Sequence, residues 1–321
     1  MTLTVKELIE RYPPGFVMGR SGKVCTDTTE FMDIDHGDVI ALGGCHYLVL
    51  RDEAERRFGM EDPKFWVKRC RCLETGESNI LKLVFYENFP MKIGEVEIPC
   101  YRSPEKEARI LDLVKNDSRF MQGFSLPDDK GNLVRVLELI RGKRWDVAVE
   151  NIKADHRTYV REHLPGLLDQ YIGAMEAIGF LHANGEKHGD IRRDHLWFEY
   201  GTGQVRWIDF DYTFDFVENP FGLDLFGLGS ILLFLVGKGI YARSDLADMG
   251  CNEKIISSLS PDDFSLMFRY RIINLRKLFP YLPEELNRVL MHYAVGSEVF
   301  YETVDELISD LRPCIDLLRS C

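Results

Sequence analysis

The densest chemical signal in the chain lies in residues 181–212, LHANGEKHGDIRRDHLWFEYGTGQVRWIDFDY. Two acids, Asp190 and Asp209, each stand beside a strand-like apolar segment, with Asp211 two residues after the second. Carboxylates are the oxygen donors that hard divalent cations such as magnesium prefer, and they also take protons from hydroxyl groups. Loops held by a rigid scaffold are where such groups tend to sit. His188, two residues before Asp190, reads as a structural histidine bonded to backbone, and Arg192 and Arg193 add two cations to the same loop.

The elements that must position these residues follow from the pattern along the chain. A short helix is expected over Val5 to Arg11, stopped by Pro13-Pro14 and followed by polar loop. From residue 38 to 85 the texture is β. VIALGGCHYLVL is rich in branched and aromatic residues, a charged stretch (51–64) follows, and Glu74-Thr75-Gly76-Glu77 has hairpin-turn residues leading into NILKLVF. Ser103-Pro104-Glu105 opens a helix with a cap, a first-turn proline and an early acid. Two strands are expected around 120–126 and 133–140, split by a turn at 128–132. From about residue 155 the pattern is helical, including a long helix over 167–182, with one β-like interruption at 195–210. The architecture expected is therefore α+β: an N-terminal extension (1–37), a small β-rich lobe with one helix (38–141) and a larger helical lobe (142–321).

Composition sets limits. With 45% hydrophobic residues in 321, the chain fills a substantial core, which excludes a disordered or collagen-like protein. Forty Lys and Arg against fifty-two Asp and Glu leave a net charge of −12, the wrong sign for nucleic-acid binding over the whole surface. No apolar run reaches the ~18 residues of a membrane helix, the best candidate being 225–236, and the N-terminus lacks a secretory apolar segment. The eight cysteines are scattered, which fits reduced thiols and a cytoplasmic setting. Cys70-x-Cys72 reads as alternate residues of a strand and not as a zinc site.

At His188-Gly189-Asp190 the sequence resembles the protein-kinase superfamily, in the HGD form of aminoglycoside-phosphotransferase-like and many bacterial members. Asp209-Phe210-Asp211 sits where the magnesium-binding DFG would lie. VKRCRCLETGESNILK (67–82) resembles the second and third strands, with Lys82 as the phosphate-binding lysine and Glu107 as its ion-pair partner. Leu137-Glu138-Leu139-Ile140, before Gly142, resembles the gatekeeper and hinge that cradle adenine, so Glu138 and Ile140 join the nucleotide contacts. DLFGLGSILLFLVGKG resembles the central helix of the large lobe, with Asp224 at its start, and the resemblance runs from about Val39 to Arg312. It implies a bilobed fold, ATP with Mg²⁺ or Mn²⁺ as cofactors, and phosphoryl transfer to a protein Ser/Thr hydroxyl or a small-molecule hydroxyl. Asp190 would accept the hydroxyl proton, Asp209, Asp211 and, in place of an asparagine, His195 would hold metal, and Arg192 stands where serine/threonine kinases place a lysine near the γ-phosphate.

The sequence departs from that family at four places. The glycine-rich loop is missing: its glycines would fall on Met60, Asp62 and Phe65, with Gly59 alone nearby and Glu55, Glu61 and Asp62 in a charged turn. His195 stands where the family has a metal-binding asparagine, and imidazole is a poor magnesium ligand. Asp211 replaces the DFG glycine. The segment from Asp209 to Asp224 is short and lacks the APE motif, and the arginine that would pair with it falls on Phe300. These losses keep a second reading open, a pseudokinase that binds nucleotide or a partner without catalysis; a third keeps ATP but transfers its nucleotide moiety.

Overall fold

A computed structural model describes residues 3–15, 22–57 and 60–320. Gly59 lies outside the described residues. The chain divides into two compact units: residues 1–87 with 102–140, and residues 88–101 with 141–321. Both combine helices with largely antiparallel sheet, so the protein is α+β.

The first unit is built on a seven-stranded sheet. Helix α1 (Val5–Arg11) precedes strands β1 (Val24–Cys25), β2 (Val39–Leu42), β3 (Cys45–Arg57), β4 (Met60–Cys72) and β5 (Ser78–Lys82). The hairpin of β6 (Asn88–Ile93) and β7 (Val96–Arg102) follows and, up to Tyr101, belongs to the second unit. Helix α2 (Pro104–Leu113) and strands β8 (Gly123–Pro127) and β9 (Leu133–Glu138) complete the first unit. The strand order is β1-β2-β3-β4-β5-β9-β8, antiparallel except for β1 beside β2. Alternation along the strands gives the sheet two apolar faces. Ile40, Tyr47, Val49, Leu81 and Val136 face one core cluster, whereas Val39 and Leu48 face α1 through Val5 and Leu8. The described residues among 1–37 are thus built into this unit: α1 covers one face, β1 extends the sheet, and Thr28 donates from N and Oγ1 to buried Asp128 in the β8–β9 turn.

The charged stretch at 51–64 is mostly strand. β3 and β4 run past it as paired arms, with ion pairs Lys68–Asp52 (2.7 Å), Arg69–Glu53 (2.6 Å) and Lys64–Glu55 (3.4 Å). Opposite charges across a ladder stabilise strands that carry no apolar pattern.

In the second unit, β10 (Gly142–Arg144) leads into helices α3 (Trp145–Glu150), α4 (His156–Glu162) and α5 (Leu164–Ala183). Strands β11 (Leu196–Glu199), β12 (Val205–Trp207) and β13 (Tyr212–Phe214) follow, and then helix α6 (Gly222–Gly237), α7 (Glu253–Ser257), α8 (Glu284–Met291) and α9 (Val304–Ser320). β10-β11-β12 form one small sheet and β13-β7-β6 another. The run 225–236 lies in α6, whose residues are buried on every side except Ser230, as expected for a helix apolar all round. Among the described residues no helix is long and apolar enough to cross a membrane. Gly227 lets α6 approach the loop around Asp190 closely: a Cβ there would stand 2.7 Å from Cβ of Ile191.

Candidate functional site

In the first unit, Lys82 ends β5 and Glu107 lies on the inner face of α2. Ser103 caps that helix by accepting from the Lys106 N–H, and Pro104 opens it. Lys82 Nζ lies 2.9 Å from Glu107 Oε1, and the two side chains are 5% and 0% exposed. Glu105, two residues earlier on the helix, is exposed and takes bonds from Ser103 and Tyr86, so Glu107 is the carboxylate that faces inward. Sequence reasoning missed the third member: Arg135 of β9 is fully buried and donates from Nε to Glu107 Oε2 at 3.1 Å. Its remaining nitrogens donate to the carbonyls of Leu133 and Leu83. Its signal was a lone cation inside the apolar run LVRVLEL. One carboxylate thus stands between two cations, a buried group that is stable only when fully bonded.

Glu138 ends β9 and accepts from the Gln122 N–H at 2.7 Å, while Ile140 is buried at the last position of the unit. Of the acids in the charged stretch, Glu55 is bound to Lys64, and Asp62 stands opposite Glu55 in the ladder.

In the second unit, the loop 188–195 is fixed from below by Asp224, in the first turn of α6. Its buried carboxylate accepts from the backbone N–H groups of His188 (2.7 Å) and Gly189 (2.8 Å) and from His182 Nε2 (3.0 Å). Burial pushes this carboxyl up, but the His182 hydrogen bond and charge, with the backbone donors, bring it below the ordinary value. Gly189 has φ +85°, and a Cβ there would fall 1.7 Å from the Tyr212 carbonyl oxygen. No side chain fits there. His188 is fully buried, packs edge-on against Trp207 and Phe210, and accepts from the Asp190 N–H at 3.3 Å.

Asp190, Asp209, Asp211 and His195 are neighbours. His195 is buried, and its Nδ1 bonds the Asp190 carbonyl at 2.8 Å. The ring then lies 3.5 Å from a carboxylate oxygen of Asp190 and, through Nε2, 3.5 Å from Asp209 Oδ2. Asp209 has φ +66°, a conformation that costs energy for a non-glycine residue and that clusters at functional sites. Asp211 is fully buried. Burial raises the Asp190 carboxyl above the ordinary aspartate value; His195 and Arg192 oppose that rise, whereas Asp209 and Asp211 add to it.

Arg192 makes a bidentate pair with Asp194 (2.6 and 3.1 Å) and comes only to 4.0 Å of Asp190. Despite burial, the charges of His195 and Arg192 hold Asp194 down to about 2. Arg193 turns away, toward Asp146 (3.6 Å) and the face of Phe234. Asp194 was a second omission of sequence reasoning; the adjacent Arg-Arg-Asp was its only signal. The segment after Asp211 is strapped by β13 to the β6–β7 hairpin, with Asp215 N donating to Pro99 O at 3.0 Å. Phe300, where the resemblance would place an arginine, packs on Phe226.

Compared with known proteins, the chain matches no family model and has no match among curated proteins.

Proposed function

We propose that the protein is an ATP-dependent phosphotransferase of bilobed, protein-kinase-like type, acting on a protein or small-molecule hydroxyl. The observation that carries this reading is the buried Lys82–Glu107 pair, formed by residues 25 positions apart that the motif register picks out as the phosphate anchor and its carboxylate. The placing of Asp190 and Asp209 on either side of His195, with the charge of Asp211 acting on Asp190, supports it, because phosphoryl transfer needs placed charge more than covalent help.

In this reading Lys82, oriented by Glu107, offers its ammonium to phosphate oxygens, and Arg135 keeps Glu107 in place from the other side. Glu138 and Ile140, at the end of the first unit, contact the adenine. Asp190 takes the acceptor's proton, and its raised carboxyl makes it a stronger base than an ordinary aspartate. Arg192 tunes Asp190 by charge while bound to Asp194. Asp209 and Asp211 fit a divalent cation, since they offer carboxylate oxygens within 4.8 Å of each other. Magnesium or manganese, when bound there, supplies neutralisation of phosphate charge.

One observation favours a second reading, a nucleotide-binding module without catalysis. His195 places an imidazole, and not a hard oxygen donor, between Asp190 and Asp209. A turnover assay separates the two. Under the first reading, wild type consumes ATP with Mg²⁺ or Mn²⁺, and Asp190→Asn lowers turnover by at least about 100-fold while ATP still binds. His195→Asn then raises the Mg²⁺-dependent rate. Binding without turnover in all three proteins would establish the second reading, and no binding in any would refute both.

A further inference from the structure

The two turns at one end of the first unit's sheet, β2–β3 and β4–β5, bring together side chains the proposed phosphotransfer site does not use. Tyr47 and Cys72 are paired across β3 and β4, so Cys45, two residues before Tyr47, and Cys72 project from the same face. Sulfur atoms of Cys45 and Cys72 and a carboxylate oxygen of Glu74 lie within 4.8 Å of one another. Cys72 Sγ is 3.5 Å from Glu74 Oε2. A tetrahedral ion with Zn–S of about 2.3 Å and Zn–O of about 2.0 Å requires its sulfur and oxygen about 3.5 Å apart, and its two sulfurs about 3.8 Å apart. The first spacing is already present, and the second needs a side-chain adjustment of at most about 1 Å, since the sulfurs lie within 4.8 Å of each other.

The carboxylate is pre-positioned. His46 donates from its backbone N to Glu74 Oε2 at 2.9 Å, and its Nδ1 bonds Oε1 at 2.7 Å. Leu73 N returns a bond to the His46 carbonyl at 2.8 Å, tying the two turns together. Outer partners that orient a ligand in this way are the usual companions of metal sites.

We infer that Cys45, Cys72 and Glu74 form a zinc site that clamps the β2–β3 turn to the β4–β5 turn. Two thiolates and one carboxylate select a borderline divalent ion over magnesium or calcium. As the two S–Zn bonds form, Cys45 and Cys72 each release one proton to solvent; Glu74 binds as the anion, and water fills the fourth position. No electron moves.

The test is a titration of the chelator-stripped, reduced full chain with Co²⁺ alone, followed by displacement with Zn²⁺. One equivalent of cobalt should give a thiolate-to-metal charge-transfer band and tetrahedral ligand-field bands, both bleached by zinc. Cys45→Ser and Cys72→Ser should each remove the charge-transfer signature, and Cys251→Ser, in the other unit, should keep it. His46→Ala should weaken binding about 10- to 100-fold without removing the band. Should the serine variants fail to fold, the wild type decides, because zinc must then also raise its thermal midpoint under reductant. A wild type with no thiolate band, a band that survives both serine variants, or a Cys45–Cys72 disulfide in a protein that takes up no cobalt when reduced would overturn the proposal.

Discussion

Glu107 is bound on both sides, by Lys82 and by Arg135, and that arrangement makes the two ends of the ion pair unequal. Lys82→Met leaves the carboxylate still paired with Arg135, so the fold should survive with a small loss. Glu107→Gln leaves two buried cations facing a neutral amide, and breaking a buried pair in that way costs about 3–5 kcal/mol. Urea unfolding of both variants measures the asymmetry; a Lys82→Met loss as large as that of Glu107→Gln would show that Arg135 does not hold the carboxylate. Asp190 offers a test with a sign. Its folded carboxyl titrates above the ordinary value, so as pH rises the unfolded chain ionises first and stability falls until the folded group has ionised too. Asp190→Asn removes that cost and should therefore raise the thermal midpoint at pH 7, with the gain vanishing below the ordinary aspartate value. A wild type more stable than Asp190→Asn at pH 7 would contradict the burial of this charge. Lys82 and Glu107 were legible because a turn and a capped helix fix their register, whereas Arg135 was not, since strand sequence alone does not say that both faces are covered.

At the scale of elements, the loop 188–195 depends on close backbone approaches. Gly189→Ala places a methyl group into the Tyr212 carbonyl at a left-handed backbone position, so it should destabilise by about 3 kcal/mol or more and disturb Asp190 and Asp209 together. Near-native unfolding of that variant in urea would show that the loop yields without cost. Most strands and helices around the site were readable from capping, turn residues and apolar pattern. The β6–β7 hairpin was not, because Pro90 and Pro99, which stand opposite each other in it, argue against strand in sequence. The arms of β3 and β4 were missed for a different reason. Their strand character rests on cross-strand ion pairs, and residues 51–64 taken singly look like a solvated turn. The first 37 residues read as an appendage because their few apolar residues, Val5 and Leu8 among them, gain meaning only from the sheet face they cover.

At the scale of the whole molecule, the shift from β to helical texture marks where the chain changes character, and the division into units falls after Ile140. What no linear pattern reveals is that residues 88–101 join the second unit, because their partner strand β13 follows more than a hundred residues later. In the proposed reading the phosphate anchor lies in the first unit and the acids in the second, in a chain whose net charge of −12 does nothing to attract a polyphosphate. Specific binding of ATP is therefore what the proposed function stands on. The direct measurement is the thermal stability of wild type, Lys82→Met and Asp209→Ala with ATP, in the presence and absence of Mg²⁺. At 100 times the dissociation constant, ATP should stabilise wild type by about 2.7 kcal/mol. Lys82→Met should lose that gain, and Asp209→Ala should lose the part that depends on Mg²⁺. A wild type that ATP does not stabilise, or a Lys82→Met variant that keeps the full shift, would contradict the account.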